Sequence, residues 1–306
     1  MSTLLILFAR GFIALIQTLP LVFVARLGRA GGALAYWLDA RHRKVALANL
    51  ELVFGNEKSD DERRAIAREN FRRLGENYLC SLKTVVMSRE ALAKRMEWVG
   101  IREAIPVDGR SMVAAIGHFG QFELFGRVTE QAPDWAAAVT YRALRQPALN
   151  KLLLDLRKRS GALFFERRTE ADQLKKAMNH GRILLALLAD QHGGDRGLWL
   201  PFLGHDCSCN AGSAVLALRY EARLRSAICY RVGLARWRLE VGPEIPTRDA
   251  AGNPRSSEAI TRDLNAALEV AVRRDPANWF WVHRRWKPAS KWQMAVAAGA
   301  PTQSEG

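Results

Sequence analysis

Three apolar runs in the second part of the chain constrain its fold more than any other feature. They cover residues 112–116, 135–140 and 183–189. Each has the length and composition of a buried strand, and helical patterns lie between them. Thr169 and Asp172 mark the start of one such helix, and Gly181 marks its end. Strands that alternate with helices predict an α/β domain, with a largely parallel or mixed sheet and helices on its faces.

Each of these runs is followed by polar or charged residues. His118 follows the first run, Arg142 the second and Asp190 the third. In open α/β sheets, ligands bind beyond the carboxyl ends of the strands. The sequence therefore predicts a site at that edge of the sheet.

His118 is the candidate base of this site. It lies in the segment Gly-His-Phe-Gly-Gln-Phe-Glu at 117–123. A histidine can take the proton of a hydroxyl while a carboxylate holds the ring in one tautomer. Side chains five residues apart on one helix point about 140° apart, so Glu123 can reach the ring only if His118 lies in a turn before that helix. This predicts His118 and Glu123 as a catalytic pair, although the spacing also fits a structural loop histidine.

Two arginines and one aspartate are candidates for binding the substrate. Arg142 and Arg145 lie just past the second run. Guanidinium groups stay charged and donate in a fork, which suits a phosphate or a developing oxyanion. A solvated basic loop is the alternative. Asp190 ends a fully apolar run, and a structural ion pair with a partner such as Arg142 is the alternative to a role in the site.

The charge of the chain indicates a polyanionic partner. Its 306 residues carry a formal net charge of +15, and a hydrophobic content of 49% excludes a disordered chain. Nucleic acid, an anionic membrane surface, a phosphorylated substrate and an acidic carrier protein all satisfy this excess. The four cysteines form no spaced framework, which fits a reducing compartment. Cys207 and Cys209 lack a second ligand pair at metal spacing, so we predict no metal site.

The N-terminal segment separates these classes of partner. Across residues 4–24, Arg10 is the only charge and Pro20 the only strong breaker. This length is enough to cross a bilayer or to lie deeply in it. Basic residues come after the segment, which favours a cytoplasmic position for the rest of the chain. We predict a membrane-anchor helix over residues 1–25, either spanning or interfacial; an amphipathic core helix is the alternative.

Helical patterns fill the region up to about residue 105. Ser59 and Glu62 form a capping box that predicts a helix start. Further short helices are expected over residues 28–39 and 42–54. Beyond the three apolar runs, strands are expected at 226–232 and 237–241, and a helix within 253–275. The chain shows no internal repeat and no linker, and residues 289–306 have the composition of a tail.

Two later segments have more than one interpretation. Residues 279–287 interleave aromatic and cationic side chains. Such a segment can stack bases and bind phosphates, or it can lie at a membrane interface. Residues 197–204 form a glycine-bounded apolar hairpin that either lines an acyl-chain channel or packs in the core.

Together these residues resemble the bacterial lipid A biosynthesis acyltransferase family, the late acyltransferases that transfer fatty acyl chains to lipid A precursors. The resemblance covers roughly residues 15–287. The matching pieces are the N-terminal apolar segment, Arg-Lys-Val-Ala-Leu-Ala-Asn-Leu at 43–50, Gly-His-Phe-Gly-x-x-Glu at 117–123, Tyr-Arg-x-Leu-x-x-Pro at 141–147, Leu-Ala-Asp-Gln at 188–191, Pro-Phe-Leu-Gly at 201–204 and Trp-x-His-Arg-Arg-Trp-Lys at 281–287.

The resemblance implies a glycerol-phosphate-acyltransferase-like α/β fold with a single acyltransferase domain over residues 26–288. It implies acyl carrier protein as the carrier of the acyl donor, a phosphorylated glycolipid acceptor, and no cofactor. His118 and Glu123 are the catalytic pair by the family pattern, and Arg142 and Asp190 match positions implicated in the site. The expected location is the cytoplasmic face of the inner membrane, with an anionic membrane surface as a further partner.

The sequence departs from the family pattern beside the candidate base. Gln121 and Phe122 stand where the family commonly has Asn and Trp. This leaves open an acyltransferase of the same chemistry that acts on a different lipid acceptor. A basic nucleic-acid-binding protein is the remaining alternative, but it leaves the apolar N-terminus and the polar residues at the strand ends unexplained.

Overall fold

A mixed seven-stranded sheet forms the centre of the fold. The computed structural model describes residues 2–291, 293 and 294. The strands are β1 (Met96–Val99), β2 (Met112–Ile116), β3 (Ala136–Tyr141), β4 (Leu163–Glu166), β5 (Ile183–Leu188), β6 (Leu198–Phe202), β7 (His205–Cys209), β8 (Arg223–Gly233) and β9 (Arg236–Glu244). The large sheet has the order β1-β9-β8-β2-β5-β3-β4, and β6 and β7 form a separate antiparallel hairpin. Within the large sheet only β8 and β9 pair antiparallel.

Helices cover both faces of this sheet and form most of the N-terminal region. They are α1 (Ser2–Thr18), α2 (Leu21–Leu38), α3 (Ala40–Phe54), α4 (Asp60–Thr84), α5 (Arg89–Ala93), α6 (Ile101–Ala104), α7 (Pro147–Arg157), α8 (Ala171–His180), α9 (Gly212–Arg219) and α10 (Ser257–Arg274), with 3₁₀ turns at Phe122–Glu130, Lys158–Ser160 and Pro276–Asn278. The predicted α/β class and the helical N-terminal region are confirmed.

The strand predictions were accurate in the middle of the chain. β2 coincides with the predicted run, and β3 and β5 each lie within one residue of theirs. β8 and β9 are longer than predicted, because strands that pair with each other continue past the apolar residues that reveal them. The short strands β1 and β4, of four residues each, were not predicted, although β4 contains the apolar run Leu-Phe-Phe.

The N-terminal apolar segment folds as two helices instead of one. α1 ends at Thr18 and α2 begins at Leu21, with Pro20 as its N-cap. Proline disfavours the helical conformation of the residue before it and has no N–H to donate. The prediction of one anchor helix over residues 1–25 is therefore wrong. Two helices cover this segment, and residue 25 lies inside the second. None of the described helices is both long and apolar enough to cross a membrane.

α2 and α4 pack in direct backbone contact. The predicted capping box of Ser59 and Glu62 starts α4. A Cβ atom at Gly28 would lie 2.4 Å from the Gly75 carbonyl oxygen, and one at Gly32 would meet the Phe71 carbonyl. Because no side chain fits at these positions, glycine lets the two helix axes approach closely. This contact fixes α2 against α4.

The two faces of the sheet have different covers. On one face Ala115 and Leu185 pack with Leu174 of α8 and Ala217 of α9. On the other face Ile116 packs with residues of the first 3₁₀ turn, Leu124 and Phe125 among them. We call these the α8–α9 face and the 3₁₀ face. Side chains alternate along each strand, so neighbouring residues point to opposite faces.

The aromatic–basic segment lies mostly inside the protein. Trp279, Trp281 and Arg285 are each at most 2% exposed. Buried rings cannot stack bases, so the interpretation of this segment as a surface for nucleic acid or lipid headgroups is wrong for these three residues. The predicted apolar hairpin corresponds to β6 and β7, with Leu200 and Phe202 in the core. Most of the predicted tail, 289–306, lies outside the described residues.

Candidate active site

The pairing of β2 with β5 brings His118 and Asp190 together. The two strands are parallel, with Ile116 opposite Leu188. His118 and Asp190 each lie two residues further along their strands, so they come level at the carboxyl edge of the sheet. Gly117 permits this approach, because a Cβ atom there would lie 2.5 Å from the ring of Phe119 and 3.3 Å from the Asp190 carboxylate.

Three donors surround the Asp190 carboxylate. The Nδ1 of His118 lies 2.7 Å from Oδ1. The His118 backbone N–H donates to Oδ2 over 2.7 Å, and the Trp279 indole N–H donates to the same oxygen over 2.8 Å. The Asp190 side chain is 1% exposed, and that of His118 is 15% exposed. The carboxylate is thus buried, while the ring reaches the surface of the site.

These contacts define the tautomer of the neutral His118 ring. An ionised carboxylate only accepts hydrogen bonds, so Nδ1 carries the proton and Nε2 keeps a free lone pair. Burial alone would raise the pKa of Asp190, but the attraction to a protonated His118 ring and the hydrogen bonds from His118 and Trp279 outweigh it and lower that pKa. The Gln191 side-chain nitrogen lies 3.3 Å from His118 Nε2. The basic nitrogen therefore faces outward beside an amide that can exchange for a substrate hydroxyl.

Two phenylalanines hold the ring from its sides. Phe280 stacks on the His118 ring with centroids 5.4 Å apart, and Phe122 meets it edge-on at 5.1 Å. Phe122 is one of the two residues that depart from the family pattern. Together with the Asp190 bond, these contacts leave the imidazole little freedom to turn.

The structure corrects the predicted partner of His118. Glu123 was expected to orient the ring, but its carboxylate binds the Arg157 guanidinium, with Nε–Oε distances of 3.1 and 3.2 Å. The reason is topological: Glu123 lies in the first 3₁₀ turn, which leads away from the turn at His118 toward α7. The partner of the ring comes from the neighbouring strand instead. Glu123 and His118 do line the same cavity.

The two predicted substrate-binding arginines differ in position. Arg142 is exposed and lines the cavity at the site. Arg145 is exposed in the same loop but does not belong to the lining. Arg142 and Asp190 do not form the ion pair that was considered as an alternative. The Asp190 oxygens are bound by His118 and Trp279 instead.

His283 completes the rim of the site and was not predicted. Its Nε2 accepts the backbone N–H of His192 over 3.1 Å. Burial lowers the pKa of His283 to about 4. At neutral pH the ring is therefore uncharged, and its proton must reside on Nδ1. The sequence indicated His283 only through its place in the segment 281–287. Because two arginines follow it, the pattern gave no reason to assign it a role of its own.

A cavity of about 990 Å³ opens at His118. It is lined from both faces of the sheet, since Leu187 and Leu188 of β5 both contribute to it. Such a volume matches a site for a substrate with a sizeable apolar part. On the 3₁₀ face the lining is mostly apolar: Ile116, Phe125, Val139, Leu153, Phe164 and Leu188. We call this part the apolar branch.

No metal-binding arrangement accompanies the site. Within residues 2–291, 293 and 294, no group of three or more His, Cys, Asp or Glu side chains is placed to hold a metal ion. The chemistry available to the described side chains is proton transfer at His118, held by the buried carboxylate of Asp190, next to an apolar cavity.

Comparisons with known proteins identify the family of this chain. The chain matches the model of the family described as bacterial lipid A biosynthesis acyltransferase over residues 1–288. It is 24% identical over 287 residues to a lipid A biosynthesis palmitoleoyltransferase of Escherichia coli (strain K12), covering 92% of this chain and 90% of the relative. It is 25% identical over 284 residues to a lipid A biosynthesis lauroyltransferase of the same organism, covering 90% and 89%. Because the family match extends over nearly the whole chain, the protein belongs to the bacterial lipid A biosynthesis acyltransferases and is an acyltransferase.

Proposed function

We propose that this acyltransferase moves a fatty acyl chain from acyl carrier protein to a hydroxyl of a lipid A precursor or a related glycolipid, at the cytoplasmic face of the inner membrane. His118 is the general base and Asp190 holds it. The observation that carries this proposal is the 2.7 Å contact between His118 Nδ1 and the buried Asp190 carboxylate, with Nε2 turned toward the cavity. The relatives named for acyl transfer in lipid A biosynthesis support the choice of acceptor.

The reaction follows from the tautomer of His118. Nε2 takes the proton of the acceptor hydroxyl while its oxygen attacks the thioester carbonyl. The Asp190 carboxylate stabilises the imidazolium that forms. When the tetrahedral intermediate collapses, the carbon–sulfur bond breaks and the new ester remains. The leaving thiolate recovers the proton from Nε2, so the ring returns to its starting state.

Two groups on the rim are suited to stabilise the oxyanion of the intermediate. Gln191 offers an amide N–H beside His118 Nε2. His283 carries its proton on Nδ1, because its Nε2 is occupied by a backbone donor. Neutral donors placed beside the reacting carbonyl can stabilise the negative charge that develops on its oxygen.

The apolar branch supports a fatty acyl chain as the transferred group. Its lining offers hydrocarbon contact next to the base and contains no unpaired carboxylate, since Glu123 at its side is bound to Arg157. Burial of apolar surface contributes about 0.8 kcal/mol for each CH₂ group. A chain of many CH₂ groups thus gains most of its affinity in this branch.

The charge and the N-terminus support the proposed partners. A net charge of +15 favours encounter with an acidic carrier protein and with anionic lipids. α1 exposes apolar side chains to solvent, with Leu4 77% and Phe8 74% exposed. Such a surface suits the interface of a bilayer. Co-sedimentation with anionic vesicles tests this, and Phe8→Ser is expected to weaken it.

Acyl transfer to the lipid A precursor tests the proposal directly. Purified enzyme, acyl–acyl carrier protein and the precursor are incubated, and the mass of the lipid is measured. We expect one added acyl group with the unaltered enzyme and none with His118→Ala. Equal turnover by His118→Ala would falsify the assignment of the base. A panel of other hydroxylated lipids tests whether the enzyme uses a different acceptor. This alternative is included because Phe122, which departs from the family pattern, contacts the His118 ring.

A further inference from the structure

The cavity has a second part on the α8–α9 face. Its apolar lining includes Leu187 of β5, Leu174 of α8 and Leu216 of α9. Four cations line the same cavity at or near this part: Arg142, Arg167, Lys175 and Arg219. All four are exposed. We call these four residues the cationic wall.

The cationic wall has no ion-pair partner among the described residues. Within the described part of the chain, none of its four members forms an ion pair. Arg219 lies over the ring of Tyr220, 5.7 Å from its centroid. This differs from the arginines elsewhere, such as Arg73 and Arg274, whose guanidinium groups bind carboxylates at 2.6–3.0 Å.

Three of the four carboxylates that line the cavity have partners within the protein, but only one of these partners is a cation. Glu123 binds Arg157. Glu166 accepts the backbone N–H groups of Arg168 and Thr169 over 2.7 and 2.9 Å, and Glu170 accepts the N–H of Glu166 over 2.5 Å.

Asp172 is the one further acidic residue in the lining. Four cations without an ion-pair partner thus face three charged carboxylates, those of Glu166, Glu170 and Asp172, and backbone N–H groups hold the first two in place. The first turn of α8 also lies at the cavity, through Ala171, and the N-terminus of a ten-residue helix adds a partial positive charge.

We propose that the cationic wall is the phosphate subsite of the acceptor. This rests on the proposed function. A fatty acyl thioester is uncharged and needs hydrocarbon contact, which the apolar branch provides. The acyl chain therefore makes no use of the cations, and we assign them to the other substrate. Guanidinium and ammonium groups bind phosphate oxygens, and the leucines beside them fit the lipid part of the same molecule.

The position of the cationic wall favours an amphiphile over a folded protein. The wall lines a cavity together with leucine side chains, whereas a carrier protein would contact an outer surface. The donor's prosthetic arm also carries a phosphate, so the two sources of phosphate must be separated by experiment. An effect on the acceptor alone supports the proposal, and an effect on the donor overturns it.

Neighbouring residues provide matched controls. Lys175→Ala and Arg167→Ala remove cations of the wall, while Lys176→Ala and Arg168→Ala remove adjacent exposed cations outside the lining. Transfer is measured at saturating donor with a phosphorylated glycolipid and with the same lipid after phosphatase treatment. For Lys175→Ala and Arg167→Ala we expect KM for the phosphorylated lipid to rise about tenfold with kcat nearly unchanged. The treated lipid and both controls should show changes below about twofold.

A binding measurement separates this proposal from the proposed function. Binding of the phosphorylated glycolipid in detergent micelles is measured by calorimetry in a His118→Ala background, where no turnover is needed. Adding Arg219→Ala should weaken binding about tenfold, and adding Lys176→Ala should not. Equal losses on both lipids, or a raised KM for the donor, overturn the phosphate subsite. Absence of transfer by the unaltered enzyme, with binding still dependent on Arg219, would instead overturn the proposed function alone.

Discussion

Asp190 and Glu123 are two carboxylates of one site in opposite surroundings. The Asp190 side chain is 1% exposed, and its partners are an imidazole, an indole and a backbone amide. The Glu123 side chain is 29% exposed and is bound by the guanidinium of Arg157. A guanidinium cancels the charge of its carboxylate, whereas neutral donors leave that charge available. Only Asp190 can therefore stabilise a proton arriving on the His118 ring.

The largest expected effect is the loss of the Asp190 charge. Asp190→Asn keeps the size of the side chain but cannot stabilise the imidazolium, so kcat should fall about a thousandfold. Single-turnover kinetics with acyl–acyl carrier protein measure this, and near-ultraviolet circular dichroism checks that the core is intact. Should Asp190→Asn retain most of its activity, the comparison between the two carboxylates fails.

Glu123→Gln should cost less, by about tenfold in kcat. The change frees the Arg157 guanidinium beside the apolar branch but leaves the contact of His118 with Asp190 in place. The free energy of unfolding, measured in urea, should change by less than about 1 kcal/mol, because the ion pair of Glu123 and Arg157 is partly exposed. Arg157→Gln is the matched variant. If the two residues act only as a pair, the double variant loses no more than either single one. A loss larger than that of Asp190→Asn would restore Glu123 as the partner of the ring.

Trp279→Phe tests one donor of Asp190. It removes the indole N–H that binds Oδ2 and should reduce kcat about fivefold, which is the worth of one hydrogen bond to a buried group. Trp281→Phe is the control: that ring is equally buried, but its N–H donates to the Pro276 carbonyl. Both variants lose similar packing, so only a difference between them reports on the carboxylate. Identical kcat values would show that the indole has no influence on the base.

The smallest expected effect concerns the pH dependence of stability. Burial lowers the pKa of His283 to about 4, below the ordinary value of 6.5. Between those pH values the unfolded chain binds a proton that the folded protein excludes, so stability falls as the pH is lowered. His283→Gln removes this contribution, and the decrease in Tm from pH 7 to pH 5 should shrink by about 2 °C. An unchanged decrease in His283→Gln would mean that its ring titrates alike in both states.

The sequence was informative wherever the signal was local. Both ends of β2 were predicted correctly, and the capping box at Ser59 correctly predicted the start of α4. Pro20 was noted as a breaker, but the length of the apolar segment outweighed it in the prediction. The order of the strands could not be derived, because the pairing of β2 with β5 joins residues about 70 positions apart.

The same limit explains the partial prediction of the site. His118, Asp190 and Arg142 were named as candidates because each follows a strand. The partner of His118 was assigned by nearness along the chain, which favoured Glu123 over a carboxylate on the adjacent strand. The positions of Trp279 and His283 depend on the direction in which the chain leaves α10. No pattern in the sequence predicts that direction.

The indole donor of Trp279 also has a consequence for biosynthesis of the enzyme. His118, Asp190 and Trp279 leave the ribosome in that order, and the last of them follows the second by 89 residues. A nascent chain that already has both strand ends in place still lacks the third donor of its buried carboxylate. The complete set of contacts at the base forms only after Trp279 has been made, by which time the described helices α1 to α10 have also been made.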